Sequence, residues 1–188
     1  LCIQTVHAQV IMNPTAQQFA DAIDVPAADL VSAQWIAPSD ARQRRVVTHF
    51  GNANLPKSGV NLGVLSTGVA ADPTMPGWIV PELGSDFGFS IPNPNPEPAV
   101  YPPQCARDPS PNGNDPVELR LQLHVPEHTI GLEFDFHFLT SEYPEWVCTS
   151  FNDQFIALVN PAPVGSINGN ISFDAQSNPV SVNIAFFQ

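Results

Sequence analysis

From Glu118 to Val125 the chain alternates polar and apolar residues without a break, and Leu132 to Phe138 repeats the pattern. A period of two marks β-strands with one face against a core. Leu119, Leu121, Leu123 and Val125 then share one face, and Leu132, Phe134, Phe136 and Phe138 likewise point inward. The connector 126–130 is short, which predicts that the two strands form a hairpin supplying much of the core. Burying each such side chain is worth about 1.5–3 kcal/mol, so Phe134→Asp or Phe136→Asp is expected to prevent folding. Apolar runs at 30–36, 45–50 and 60–66 predict further strands, separated by Pro38, Asn52-Ala53-Asn54 and Gly68. Phe155, Ile156 and Leu158, then 171–173 and 180–187, continue the β pattern.

Only one segment has helical spacing. Ala16, Phe19, Ala20 and Ile23 recur at intervals of three and four behind Asn13-Pro14, which predicts a short helix capped by Asn13 with Pro14 at its first position. Residues 1–12 read as an N-terminal arm; Leu1 to Ala8 also resemble the small-residue end of a signal peptide without its basic start. Residues 72–116 are dominated by Pro, Gly, Asn and Asp, including Pro92-Asn93-Pro94-Asn95-Pro96, and read as a long irregular insertion. The expected fold is therefore a single all-β domain over 1–188. Its expected architecture is an antiparallel β-sandwich, jelly-roll-like, with one short N-terminal helix and a long Pro/Asn-rich loop insertion.

Composition sharpens this picture. Twenty-one prolines and 11 glycines in 188 residues disfavour long helices, and charged residues make up only 13%. Six Lys and Arg against 18 Asp and Glu leave a net charge of −12, which repels phosphate backbones and argues against nucleic-acid binding. An acidic surface does suit calcium, which takes hard oxygen ligands. Arg42, Arg44 and Arg45 hold half the positive charge and are expected to form a solvated strand edge. No run approaches the ~18 apolar residues of a membrane-spanning helix. Cys2, Cys105 and Cys148 lie far apart with no C-x-x-C pair. In an exported protein Cys105 and Cys148, both in loop-like sequence, are the preferred disulfide; three free thiols are the alternative. The role of Cys2 stays open.

The segment Ser141-Glu142-Tyr143-Pro144-Glu145-Trp146-Val147-Cys148-Thr149-Ser150-Phe151-Asn152-Asp153 mixes oxygen donors and aromatics directly after a predicted strand. Glu142, Glu145, Asn152 and Asp153 are candidate calcium ligands, although the EF-hand pattern is absent. The same residues can instead build a turn in which Asn152 and Asp153 cap backbone groups while Tyr143 and Trp146 cover the core. Glu133, Asp135 and His137 share a strand face that a solvated sheet explains as well as a metal or acid-base site does. No G-x-S-x-G, H-E-x-x-H or G-x-x-x-x-G-K motif is present, so no catalytic residues are assigned. Asn170-Ile171-Ser172 matches a glycosylation sequon.

The chain resembles the choice-of-anchor L domains of exported bacterial proteins. The likeness rests on Gly63-Val64-Leu65-Ser66-Thr67-Gly68, on Leu132-Glu133-Phe134-Asp135-Phe136, and on Ser141-Glu142-Tyr143-Pro144-Glu145 with Phe151-Asn152-Asp153-Gln154-Phe155. Pro14 to Ile23 and Asn178-Pro179-Val180-Ser181-Val182-Asn183 also look like family positions. The resemblance implies a secreted or cell-surface matrix protein with no catalytic residue set. Family members usually continue past the equivalent of Phe187, which implies either a fragment or final strands supplied by a partner.

The expected function is a non-catalytic extracellular structural or adhesive domain. It is expected to be stabilised by calcium and to associate with itself, as a filament or matrix, or with other surface proteins. The alternatives are a carbohydrate-binding module, with Trp78, Tyr101, Tyr143 and Trp146 as stacking residues, and a secreted hydrolase using Glu142 and Glu145.

Overall fold

The computed structural model describes residues 10–36, 38–80, 85–92, 112–147, 153–173 and 180–182. Its described residues form small antiparallel sheets and one α-helix. The strands are β1 (Ile11–Met12), β2 (Leu30–Ile36), β3 (Arg44–Val47), β4 (Leu62–Leu65), β5 (Ser90–Pro92), β6 (Asn112–Asn114), β7 (Glu118–Leu123), β8 (Gln154–Phe155) and β9 (Val180–Ser181). The helix, α1, spans Ala16–Ala22. The chain divides into two compact units, Leu1–Ile91 with Asn114–Phe136, and Pro92–Gly113 with His137–Gln188.

In the first unit β1, β3 and β4 make a three-stranded sheet, and β2 pairs with β7. The helix begins two residues later than Asn13-Pro14 implied. Thr15 is the N-cap: its Oγ1 accepts from the Gln18 amide at 3.1 Å, and Gln18 Oε1 accepts from the Thr15 amide at 2.9 Å. This reciprocal box outcompetes Asn13, whose φ of 54° takes it out of the helix. Phe19 and Ala22 of α1 pack with Val46 of β3, and Ile11, Trp35 and Leu119 close the cluster. Phe19 meets Trp35 edge to face at 5.2 Å, and the Trp35 indole donates to Pro14 O at 3.0 Å. The helix comes this close to β4 only because position 63 is glycine, where a Cβ would run into the Phe19 ring and Ile23.

The predicted hairpin is not formed. β7 pairs antiparallel with the distant β2, Trp35 opposite Leu119 and Ala33 opposite Leu121. A register shift between Leu30 and Ser32 sets Leu30 opposite Leu123 and leaves Val31 outside the pairing. Residues 131–140 carry no strand. Phe134 and Phe136 lie 5.9 Å apart and are 42% and 40% exposed, so they are not the core anchors their alternation implied. An aspartate at either position would forfeit partial burial rather than open the core. Alternation shows which side chains share a face of an extended chain, but not which segment pairs with it. The expected insertion 72–116 also contains regular structure, because β5 and β6 pair with each other. Residues 93–111 between them lie outside the described residues.

Polar side chains bind the loops of this unit. Gln43 is fully buried in a 3-10 turn, Ala41–Gln43. Its Oε1 accepts from the Asp40 amide at 2.6 Å, and its Nε2 donates to Asp115 O at 2.6 Å and lies 3.3 Å from the carbonyls of Ser66 and Thr67. Asp115 in turn accepts from the amides of Phe87 and Phe89 at 2.9 and 3.0 Å. The buried Asp72 carboxylate accepts from Gly51 N at 2.7 Å and from the Thr74 amide and hydroxyl at 2.8 and 2.6 Å.

The second unit contains β8 paired with β9, Phe155 opposite Val180. A tight turn carries Asn168 and Gly169 at φ of 52° and 83°, and Ile167 and Asn170 exchange both backbone bonds across it, at 3.0 and 2.9 Å. Two left-handed residues in this position are the Asn-Gly hairpin signal, which went unused in the strand assignment above. The sequon is structural: Asn170 is 1% exposed, and its Oδ1 accepts from the Ser172 amide at 2.9 Å.

Two outcomes test these networks. Gln43→Met keeps the volume but strands the partners of the amide. Because each buried polar group left unpaired costs about 1–3 kcal/mol, denaturant titration is expected to show a loss of about 3 kcal/mol or more. For Asp72, burial alone would raise the pKa, but the Thr74 hydroxyl and the Gly51 and Thr74 amides outweigh it and hold the carboxyl below its usual range. A depressed carboxylate contributes stability that is present above the unfolded value, near 3.9, and is lost as pH falls through the folded value. Asp72→Asn is therefore expected to lower Tm at neutral pH and to reduce the slope of Tm with pH below about 4.

Candidate functional site

The segment singled out in the sequence follows Thr140, whose hydroxyl accepts from the Glu142 amide at 3.0 Å. A turn then runs through residues 143–147, with Trp146 N donating to Glu142 O at 2.9 Å and Val147 N to Pro144 O at 3.3 Å. The Tyr143–Pro144 peptide is cis. This turn brings Glu142 to Asp153, at the start of β8, where Asp153 O accepts from Val182 N at 3.1 Å. The Asp153 amide donates to the Glu142 carboxylate, and the two acidic groups are close enough for their charges to oppose one another.

Electrostatically the corner is unfinished. Burial, then the neighbouring Asp153 charge, push the Glu142 carboxyl above its ordinary range, and the Asp153 amide offsets them only in part. Glu142 Oε2 is buried and has no hydrogen-bond partner. A buried carboxylate oxygen facing a second carboxylate is the donor chemistry that a hard cation satisfies.

Of the remaining predicted ligands, Glu145 is exposed on the turn and Asn152 lies outside the described residues. Among the described residues no group of three or more His, Cys, Asp or Glu side chains converges on one point. The two carboxylates that meet are Glu142 and Asp153. Tyr143 and Trp146 are each about half buried, at 47% and 48% exposure. Cys2, Cys105 and Cys148 lie outside the described residues, as does Tyr101. In the stripe Glu133, Asp135 and His137, Asp135 pairs with Lys57 at 2.7 Å in an exposed, solvent-screened ion pair.

Arg42 is exposed, as expected of a solvated edge, but Arg44 and Arg45 are not. Arg42 is held by Asp40 at 2.8 Å and stacks over Phe87, and Arg44 stacks over Trp35. Arg45 is 5% exposed. The reason lies in β3, where Val46 and Val47 are both buried, so both faces of the strand are covered and Arg45 shares the Val47 face. The unbroken Arg44-Arg45-Val46-Val47 run was the available signal, since a strand buried on both faces does not alternate.

No family profile, no curated protein and no solved structure matches the chain. No helix among the described residues is long and apolar enough to cross a membrane.

Proposed function

We propose that this chain is a non-catalytic, exported structural or adhesive domain of β-sandwich, jelly-roll-like architecture, stabilised by calcium at the Glu142–Asp153 corner. The observation that carries the reading is the buried, unpartnered Glu142 Oε2 beside a second carboxylate. Calcium, when bound, would supply the positive charge and accept six to eight oxygen ligands, so carbonyls, amides or water must join the two carboxylates. Tying the turn at 143–147 to β8 would brace the second unit. The motif likeness to the choice-of-anchor L domains agrees with a role at the cell surface.

Self-association is the second part of the proposal. Val125, Ile130 and Leu132 are 68%, 104% and 60% exposed. Exposed apolar side chains along an extended segment favour contact with another chain. A carbohydrate-binding role has one observation of its own, the exposure of both Tyr143 and Trp146 on a single turn.

Calorimetric titration of the chelator-treated protein with calcium tests the main reading. Saturable binding and a higher Tm are expected, worth about 2.7 kcal/mol at a hundredfold excess over Kd. In Glu142→Gln the calcium response should vanish, while the calcium-free Tm stays level or rises because a buried, opposed charge is gone. Absence of heat and of any Tm shift in the unmodified protein would sink the calcium assignment. For the carbohydrate reading, glycan-array binding should disappear in Trp146→Ala; an array without any signal removes that reading.

A further inference from the structure

Proline follows aspartate at 72–73, 108–109 and 115–116. The second of these pairs lies outside the described residues. An aspartyl–prolyl peptide is an acid-sensitive backbone link for two reasons. The aspartate carboxylate can close a five-membered ring on its own carbonyl carbon, and the proline nitrogen, a tertiary amide without an N–H, leaves more readily than a secondary one.

The fold treats the two described bonds differently. At Asp115 the backbone φ is 46°, a left-handed conformation uncommon outside glycine. The residue is buried; its Oδ1 and Oδ2 accept from the amides of Phe89 and Phe87 at 3.0 and 2.9 Å, and its own amide donates to Phe89 O at 2.8 Å. Its carbonyl oxygen accepts from Nε2 of the fully buried Gln43 at 2.6 Å. A short hydrogen bond from a fixed, water-excluded donor polarises a carbonyl and meets the negative charge that builds on its oxygen when a nucleophile adds. Pro116 stays partly exposed, so a solvent proton can reach its nitrogen. Asp72 is arranged for stability instead. Three donors, Gly51 N, Thr74 N and Thr74 Oγ1, engage its carboxylate, and its carbonyl takes an ordinary turn bond from Met75 N at 2.9 Å.

We propose that the chain cleaves itself between Asp115 and Pro116 in mildly acidic solution. One Asp115 carboxylate oxygen leaves its amide donor and adds to the Asp115 carbonyl carbon, while Gln43 Nε2 donates to the resulting oxyanion. The C–N bond to Pro116 then breaks, and the nitrogen takes a proton from solvent to become a secondary amine. The cyclic anhydride left on Asp115 adds one water and opens to two carboxyl groups. The sum is hydrolysis of one peptide bond, with water as the only co-reactant. β2 falls in the fragment 1–115 and β7 in 116–188, so their ladder, from Leu30 opposite Leu123 to Ile36 opposite Glu118, bridges the cut. The product is a two-chain form with a free proline amine at the entry to β7. Neither Glu142 nor Asp153 takes part, so this assignment and the calcium assignment fail separately.

The test incubates the full chain in mildly acidic buffer, folded or in urea at the same pH, and follows it by reducing denaturing electrophoresis and mass spectrometry. Fragments 1–115 and 116–188 are expected to form about tenfold or more faster from the folded chain than from the unfolded one, because the donor and the left-handed backbone exist only in the fold. In the folded chain the cut after Asp115 should outpace the cut after Asp72 by a similar factor. Pro116→Ala, at a partly exposed position, should suppress the first cut and leave the second unchanged. Gln43→Met should slow the cut after Asp115 to its rate in urea, at a temperature where circular dichroism shows the variant folded. If that variant does not fold, Pro116→Ala and the comparison of folded with urea-unfolded chain decide. The proposal is overturned if the folded chain gives no cut after Asp115, if urea leaves that rate unchanged or raises it, or if either folded variant is cut there as fast as the unmodified chain.

Discussion

The first unit depends on the side-chain amide of Gln43. Among the described residues short strands leave most backbone groups outside any ladder, and a buried carbonyl or amide without a partner is costly. A single fully buried glutamine serves four backbone groups in three separate segments: Asp40 N, Ser66 O, Thr67 O and Asp115 O. It thereby fixes where the turn before β3, the loop after β4 and the entry to β7 meet. Asp115 passes the constraint on to Phe87 and Phe89, and Asp72 does the same work between Gly51 and Thr74. Asn170 fills this role in the second unit. The low charge content and the many turns are two sides of one design, in which amides and carboxylates replace missing strand pairing.

Against that background three side-chain atoms are buried without a hydrogen-bond partner, Arg45 Nη1, Glu142 Oε2 and Ser181 Oγ, and the first two belong to charged groups. Arg45 Nη1 and Glu142 Oε2 are buried, of opposite sign and in different units. Elsewhere the fold goes to some length to satisfy single carbonyls. At Glu142 the calcium we propose would complete the structure and link stability to occupancy.

Much of the architecture was legible in the residues. The β character, the single short helix and the strand at 30–36 follow from periodicity and from proline and glycine content. Three features were not. The helix start depended on the reciprocal Thr15–Gln18 bonds, which override a proline rule. The partner of β7 lay some ninety residues upstream in β2 rather than next in sequence, because period two carries no information about who pairs with whom. Arg45 was taken for surface because arginine usually is.

By itself the sequence determined which segments are extended, where they turn and which residues carry chemistry, since these follow from local backbone sterics and side-chain type. Tertiary structure decided the strand partners, and so which side chains are cut off from water. Burial depends on what covers a face, and the cover is supplied by distant parts of the chain. That is why the acidic loop could be picked out by reading, while the unpartnered oxygen of Glu142 and the burial of Arg45 emerged only from the packed structure.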